Sequence, residues 1–346
     1  MSMVKLTIDG KEVITEQNTT ILQAAKSAGI KIPTLCYHDR MNPIGSCGLC
    51  VVEISGSAEP VQSCETPVVE GMAVISNSDR LVGMRQESLQ RLLSHHALDC
   101  PICDKAGECR LQDLVFELGI KAVDYHAPEK TYDVPYATTL IKHWPDRCVM
   151  CLRCVTACRE IKGACALDVV ETAGVRRISG NTEKCVQCGE CLQVCPVGAL
   201  TENLSLTKGR SFTVKKVPTT CTYCGCGCQM ELNVLDNKVV SVKGKNAVDV
   251  NEASLCVKGR FGYEFIASDQ RLTKPLNKKN GEFEEAGWDE ALRLVARKFG
   301  EIKKESGPDA IGGFTSARCT NEENYLFQKF MRAVIGTNNV DHCARL

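Results

Sequence analysis

The chain has 346 residues, long enough for two or three ordinary domains or for a string of smaller modules. Its 42 basic and 42 acidic residues cancel, so no net field favours nucleic acid or an anionic membrane, and no apolar run approaches a membrane span. With 23 cysteines and an N-terminus, "MSMVKLTIDGKEV", that is charged where a signal peptide needs its apolar core, the expected compartment is the reducing cytoplasm and the expected role of the thiols is metal ligation. The odd count and clustered C-x2-C spacing argue against a secreted disulfide scaffold.

Residues Val4 to Ile14 alternate as two strands about Asp9-Gly10, a hairpin signal. Thr20 can cap a helix through "ILQAAKSAG", closed by Gly29. Strand, turn, strand and helix followed by a cysteine-bearing loop make a β-grasp opening. That loop supplies Cys36, Cys47, Cys50 and Cys64 at C-x10-C-x2-C-x13-C, with Gly45, Ser46 and Gly48 where the backbone must wrap closely. Four converging thiolates suit an iron–sulfur cluster, and zinc held by the same four is the competing reading. Further on, Leu81, Leu89, Leu92 and Leu93 fall at helical spacing and deliver His95 and His96 near the helix C-terminus. His96 is followed by Cys100, Cys103 and Cys109, whereas His95 is read as an ordinary surface or core histidine.

The central block repeats itself. Cys148, Cys151, Cys154 and Cys158 recur 37 positions later as Cys185, Cys188, Cys191 and Cys195, the last followed by proline. This is the two-cluster bacterial ferredoxin pattern, in which the fourth cysteine of each run ligates the other cluster. Cys148, Cys151, Cys154 and Cys195 then form one set, and Cys185, Cys188, Cys191 and Cys158 the other. Arg159 stands where the first run often has proline, and 26 residues separate Cys158 from Cys185, more than a minimal ferredoxin needs. A basic linker, "LTKGRSFTVKKVPTT", leads to Cys221, Cys224, Cys228 and Cys256, with Lys258 two residues on. Cys226 lies inside this block as an alternative ligand. Cys165, Cys319 and Cys343 are expected to be buried small apolar residues. From Trp288 the texture becomes α/β: Trp288, Leu292, Val295, Phe299 and Ile302 form a helical stripe expected to be core, and "DAIGGFTS" reads as a strand running into a glycine loop.

The Cys36 block, with its β-grasp context, resembles the [2Fe–2S] domain of iron-only hydrogenases and of the large complex I subunit. The His96 block resembles the one-histidine, three-cysteine [4Fe–4S] site of those families. A neutral imidazole there removes one negative charge, which should raise the cluster potential. The Cys221 block resembles the [4Fe–4S] domain that opens molybdopterin oxidoreductases, in which the lysine of Cys-x-Lys-Gly lies between cluster and pterin; "CVKG" matches it, assigning Lys258 to the cofactor. The whole order, with "TSARCTNEENYLFQKFMRAVIGTNNVDHCAR", resembles the α-subunit of cytoplasmic Mo- or W-dependent formate dehydrogenases of the NAD(P)-linked or electron-bifurcating kind.

That resemblance implies a multi-domain α+β chain. A [2Fe–2S] β-grasp domain (1–79) precedes a one-histidine, three-cysteine [4Fe–4S] domain (80–120) and a two-[4Fe–4S] ferredoxin domain (138–209). A molybdopterin oxidoreductase [4Fe–4S] domain (214–270) and the start of the molybdopterin-binding domain (271–346) follow. It implies one [2Fe–2S] and four [4Fe–4S] clusters, with a Mo- or W-bis-pterin guanine dinucleotide in the full-length enzyme. Formate would give up two electrons there, which would leave singly through the Cys221 cluster, the paired clusters and then the His96 and Cys36 sites. The implied partners are flavin- or NAD(P)-reducing or bifurcating iron–sulfur subunits, or ferredoxin, because no GxGxxG follows a strand to make a Rossmann site in this chain. The family's metal-ligating selenocysteine or cysteine would follow Leu346 at once, so no catalytic residue is expected within these residues, and the expectation is a UGA codon read as a stop. The alternative is a non-catalytic electron-transfer subunit of a hydrogenase or complex I-like assembly.

Overall fold

The computed structural model describes residues 2–123, 137–172, 174–203, 209–245 and 250–343. Part of the predicted linker, and the last three residues of the chain, lie outside them. The chain divides into two compact units, Met1–Val214 and Lys215–Leu346.

The first unit opens with β1 (Met3–Ile8) and β2 (Lys11–Glu16), paired antiparallel so that Ile8 faces Lys11. Asp9 and Gly10 both take positive φ, as a two-residue primed turn requires. Thr20 and Gln23 form a capping box on α1 (Ile21–Ser27), and Gly29 leaves the helix at φ 74°. β3 (Val51–Ile54), β4 (Val61–Gln62) and β5 (Ala73–Ile75) complete a five-stranded sheet of order β2-β1-β5-β3-β4, with β1 and β5 parallel. Leu6, Ile8, Ile21, Ala24, Val52 and Val74 are fully buried between sheet and helix, an apolar cluster that also contains Cys50 and Cys64. The cysteine loop is therefore anchored in the core of its module.

Ser78 caps α2 (Asp79–Leu93), which buries Leu81, Leu89 and Leu93. Buried Arg85 on this helix donates to the carbonyls of Leu49, Val51 and Ser76 at 3.1, 2.7 and 2.7 Å, tying the helix to both flanks of Cys50. After α3 (Arg110–Glu117) comes the repeated block. It contains β6 (Ile141–His143), α4 (Arg153–Thr156), β7 (Leu167–Thr172), β8 (Val175–Gly180), α5 (Glu190–Val194) and β9 (Leu200–Glu202). β6 pairs with β9, and β7 with β8. The long insert between Cys158 and Cys185 is thus a β-hairpin.

The second unit contains an antiparallel sheet of β10 (Lys215–Thr220), β11 (Gln229–Leu235) and β12 (Lys238–Gly244), followed by α6 (Val257–Phe261). A hairpin of β13 (Leu276–Lys279) and β14 (Glu282–Glu285) leads to α7 (Trp288–Ser306). The stripe on α7 is not core: Trp288, Leu292 and Val295 are 68, 59 and 47% exposed. Of the stripe, Phe299 alone packs onto the small cluster of Ile311, Met331 and Ile335 among the described residues, because the sheet beside it is a two-stranded parallel pair, β15 (Gly313–Thr315) with β16 (Val340–His342). The glycines of "DAIGGFTS" precede and begin the strand and do not follow it. A methyl on Gly313 would stand 2.6 Å from Phe327 Cζ on α8 (Asn321–Phe330), so the helix packs directly on the strand backbone. No helix among the described residues is long and apolar enough to cross a membrane.

Candidate metal centres

In the first module Cys36 and Cys47 place their sulfurs 3.4 Å apart, and Cys50 and Cys64 theirs 3.3 Å apart, all four buried. Gly45 and Gly48 both take left-handed φ (63° and 68°), a conformation that a side chain resists, so the chain can wrap between Cys36 and Cys50. The hydrogen bond with Cys47 lowers the Cys36 thiol and that with Cys64 lowers Cys50, while the same pairing, with burial, pushes Cys47 and Cys64 up.

The second site is a cavity lined by His96, Cys100, Cys103 and Cys109. His96 follows the end of α2 and its Nδ1 is buried with no hydrogen-bond partner, a lone pair left for a ligand. Burial lowers its pKa and so favours the neutral imidazole, the form that binds metal. His95 is exposed. Gly198 forms part of the wall, and a methyl there would stand 2.3 Å from Cys103 Sγ. This cradle joins the second site to the repeated block, as do three neighbouring contacts. The Arg110 amide donates to the Pro196 carbonyl at 3.0 Å, Ala97 to Asp146 at 2.9 Å, and Arg147 forms an ion pair with Asp99. The Arg147 guanidinium also lies 4.3 Å over the Trp144 ring.

In the repeated block the two runs of cysteines cross. Cys148, Cys151, Cys154 and Cys195 line one cavity. Cys158, Cys185, Cys188 and Cys191 line another. The repeat extends to the backbone: Met150 and Gln187 have φ of 48° and 50°, and Leu152 and Gly189 have 62° and 70°. Each left-handed pair turns a run back on itself, and a short helix carrying the third cysteine follows at once in α4 and α5. Only Gly189 signals this in the sequence; at Met150, Leu152 and Gln187 no glycine marks the turn.

In the second unit Cys221 is buried, Cys224 and Cys228 are half-buried and Cys256 is exposed. The Cys221 amide donates to the Cys228 carbonyl at 2.8 Å, and Gly259 brings α6 against Cys221 Sγ. Burial raises the Cys221 thiol, and Cys256, Cys224 and Cys226 add to the rise. Cys226 is exposed, 3.5 Å from Cys228. Lys258 is exposed on α6. The expectation of buried spare cysteines fails: Cys165 and Cys343 are exposed and Cys319 is half-buried. Cys165 occupies a left-handed turn before β7, and Cys343 follows the end of β16 in a two-stranded sheet.

Three of the sets each line a cavity of their own, and in the first site the sulfurs stand in two pairs, 3.4 and 3.3 Å apart. Thiolates and an imidazole gathered in this way are the donors that iron–sulfur clusters take.

Comparison with known proteins follows the same order. Residues 1–79 match the 2Fe-2S iron–sulfur cluster binding domain, and 85–124 the NADH-ubiquinone oxidoreductase-G iron–sulfur binding region. Residues 138–201 match the ferredoxin-like domain of NADH-quinone oxidoreductase subunit 3. Residues 214–268 match the molybdopterin oxidoreductase Fe4S4 domain and 271–346 molybdopterin oxidoreductase. A chain in the crystal structure of an NAD+-reducing [NiFe]-hydrogenase in the H2-reduced state is 30% identical, with a TM-score of 0.55; the match covers 60% of this chain and 90% of that one. The chain belongs to the NADH-quinone oxidoreductase G-like family. Within that family it carries 2Fe-2S, 4Fe-4S and molybdopterin oxidoreductase domains. The α-subunit of an NADPH-Fe(3+) oxidoreductase of Geobacter sulfurreducens is 40% identical over 99% of this chain. A G-type NADH-quinone oxidoreductase chain of Rhizobium meliloti is 38% identical over 99%, and a protein of Staphylococcus aureus named putative formate dehydrogenase 36% over 98%. The chain spans about 40% of the length of these relatives.

Proposed function

We propose that this chain is the iron–sulfur wiring of a formate dehydrogenase, linking a Mo- or W-bis-pterin guanine dinucleotide site to a nicotinamide- or ferredoxin-reducing partner subunit in the cytoplasm. The observation that carries the wiring is that three separate cavities are each lined by one complete ligand set. Cys36, Cys47, Cys50 and Cys64 hold a [2Fe–2S] cluster; His96, Cys100, Cys103 and Cys109 a [4Fe–4S] cluster. The crossed sets of the repeat hold two more, and Cys221, Cys224, Cys228 and Cys256 the fifth. The domains run 1–79, 80–120, 138–209, 214–270 and 271–346. Once bound, the clusters supply one-electron carriers and the pterin site the conversion of formate to carbon dioxide, a proton and two electrons. The protein holds His96 and the thiols at fixed positions and keeps water from the buried sulfurs with apolar walls such as Leu111 and Val197. Lys258, exposed on α6, would lie beside the pterin.

Formate as substrate is supported by "CVKG", the two molybdopterin oxidoreductase matches and the Staphylococcus relative. Formate added anaerobically to the full-length enzyme should reduce the clusters, seen as new EPR signals, and Lys258→Ala should slow that reduction without slowing reduction by dithionite. The likeness to the hydrogenase chain favours a second reading, a non-catalytic electron-transfer subunit of a hydrogenase or complex I-like assembly. Clusters that NADH or NADPH reduces through the partner, and formate never reduces, would support it and exclude the first.

A further inference from the structure

Arg153 and Glu190 are related by the 37-residue repeat, each directly before the third cysteine of its run, and they carry opposite charges. Both face the loop that follows Cys36. Glu190 is buried and ion-paired to Arg40 at 3.1 Å and to Lys162 at 3.6 Å. Nearby, Asn42 donates to Glu160, and Met41 packs on Ala157 and Val194. The docked loop thus closes one face of the repeated block.

Arg153 behaves differently from its counterpart. Its guanidinium donates through Nη2 to the Tyr37 carbonyl and through Nη1 to the Val194 carbonyl at 3.4 Å. Tyr37 follows Cys36 and Val194 precedes Cys195, so one side chain grips the backbone beside a ligand of each of two metal sites. Its Nε is buried without a hydrogen-bond partner, and among the described residues no carboxylate pairs with it. Arg147, by contrast, sits between the second site and the repeat with Asp99 as its counter-ion. A buried cation without a counter-charge is strongly unfavourable.

We propose that Arg153 is a positioning residue that takes the two thiolate-ligated clusters as its counter-ions, one held by Cys36, Cys47, Cys50 and Cys64, the other by Cys148, Cys151, Cys154 and Cys195. It holds them in register and stabilises the extra electron on either. This rests on the cluster assignment above. The cysteine thiolates and sulfides make each cluster anionic, and reduction adds one more negative charge, which a fixed neighbouring cation favours. Both potentials are therefore higher than they would be without Arg153, while the His96 cluster, served by the neutralised Arg147, is independent of it.

The test is a potentiometric EPR titration of the anaerobically isolated, cluster-loaded protein as wild type, Arg153→Met and Arg153→Lys, with iron measured in each. The wild-type signals test the assignment itself; the variants test the role of Arg153. In Arg153→Met the reduced-to-oxidised ratio at fixed potential should fall about tenfold for both named clusters, equivalent to about 59 mV for one electron. Coulomb's law gives at least that size for a unit charge within roughly a dozen Å at an effective dielectric of about 20. The His96 signal should stay in place, and Arg153→Lys, which keeps the charge, should titrate close to wild type. Unshifted potentials in an iron-replete Met variant would overturn the proposal. So would an equal shift in the Lys variant, or loss of clusters in the Lys variant, either of which would reduce Arg153 to a structural clamp.

Discussion

Gly198→Ala isolates the cradle between the second metal site and the repeated block. The added methyl would stand 2.3 Å from Cys103 Sγ, 3.4 Å from Lys105 Cβ and 3.7 Å from Arg147 Cδ. The first distance is more than 1 Å inside the roughly 3.5–4.0 Å optimum for non-bonded carbon contacts, and the other two show that the methyl cannot move away. In the apo protein Cys103 can rotate about its single side-chain bond and escape at little cost. Once its sulfur is fixed to iron it cannot, so the clash falls on the loaded state, at about 1–3 kcal/mol, typical of an overpacked site. That corresponds to roughly a tenfold to hundredfold faster loss of the His96 cluster if the whole cost falls on its retention. Anaerobic challenge with a chelator, followed by EPR, should show this signal vanishing first while the others persist. Unchanged retention in Gly198→Ala, with an unchanged spectrum, would refute the reasoning.

Further outcomes follow from neighbouring residues. His96→Cys should keep a cluster with a lower potential, because a thiolate restores the negative charge the imidazole removes, whereas His95→Ala should leave its EPR signal unmoved; the reverse pattern would shift the ligand by one residue. Glu190→Gln should loosen the docked loop by about 3 kcal/mol, the low end for a broken buried pair because Arg40 and Lys162 are each 19% exposed; hydrogen exchange at residues 37–42 would register it, and unchanged protection would contradict it. Glu117 is held down to about 2, first by its hydrogen bond to Arg110 and then by Lys31, so its stabilising effect is complete above its ordinary value of 4.5 and is lost as pH falls from there toward 2. At 31% exposure the effect is under about 1 kcal/mol, and Glu117→Gln should remove that part of the acid dependence in apo-protein melts.

What the sequence disclosed was chiefly local. Thiols that ligate one centre must recur at short intervals, so spacing alone groups Cys148, Cys151 and Cys154, and these side chains do share a cavity with Cys195. The Asp9-Gly10 hairpin and the Thr20 cap were legible for the same reason, since each is set within a few residues. The contacts that join modules were not. Arg153 meets Tyr37 across 116 residues and Arg40 meets Glu190 across 150, and neither side chain carries a local pattern. The left-handed Met150, Leu152 and Gln187 were equally silent, because their conformations are imposed by the closing of the loop. The stripe on α7 misled because periodicity reports an apolar face and says nothing of what covers it.

The most direct test is the metal content of the anaerobically prepared chain, by iron and sulfide analysis with EPR of the reduced protein. Five ligand sets of these types should give about 18 irons per chain, with one [2Fe–2S] and four [4Fe–4S] signals. Stoichiometric zinc in their place, with no cluster signal on reduction, would contradict the assignment at its root.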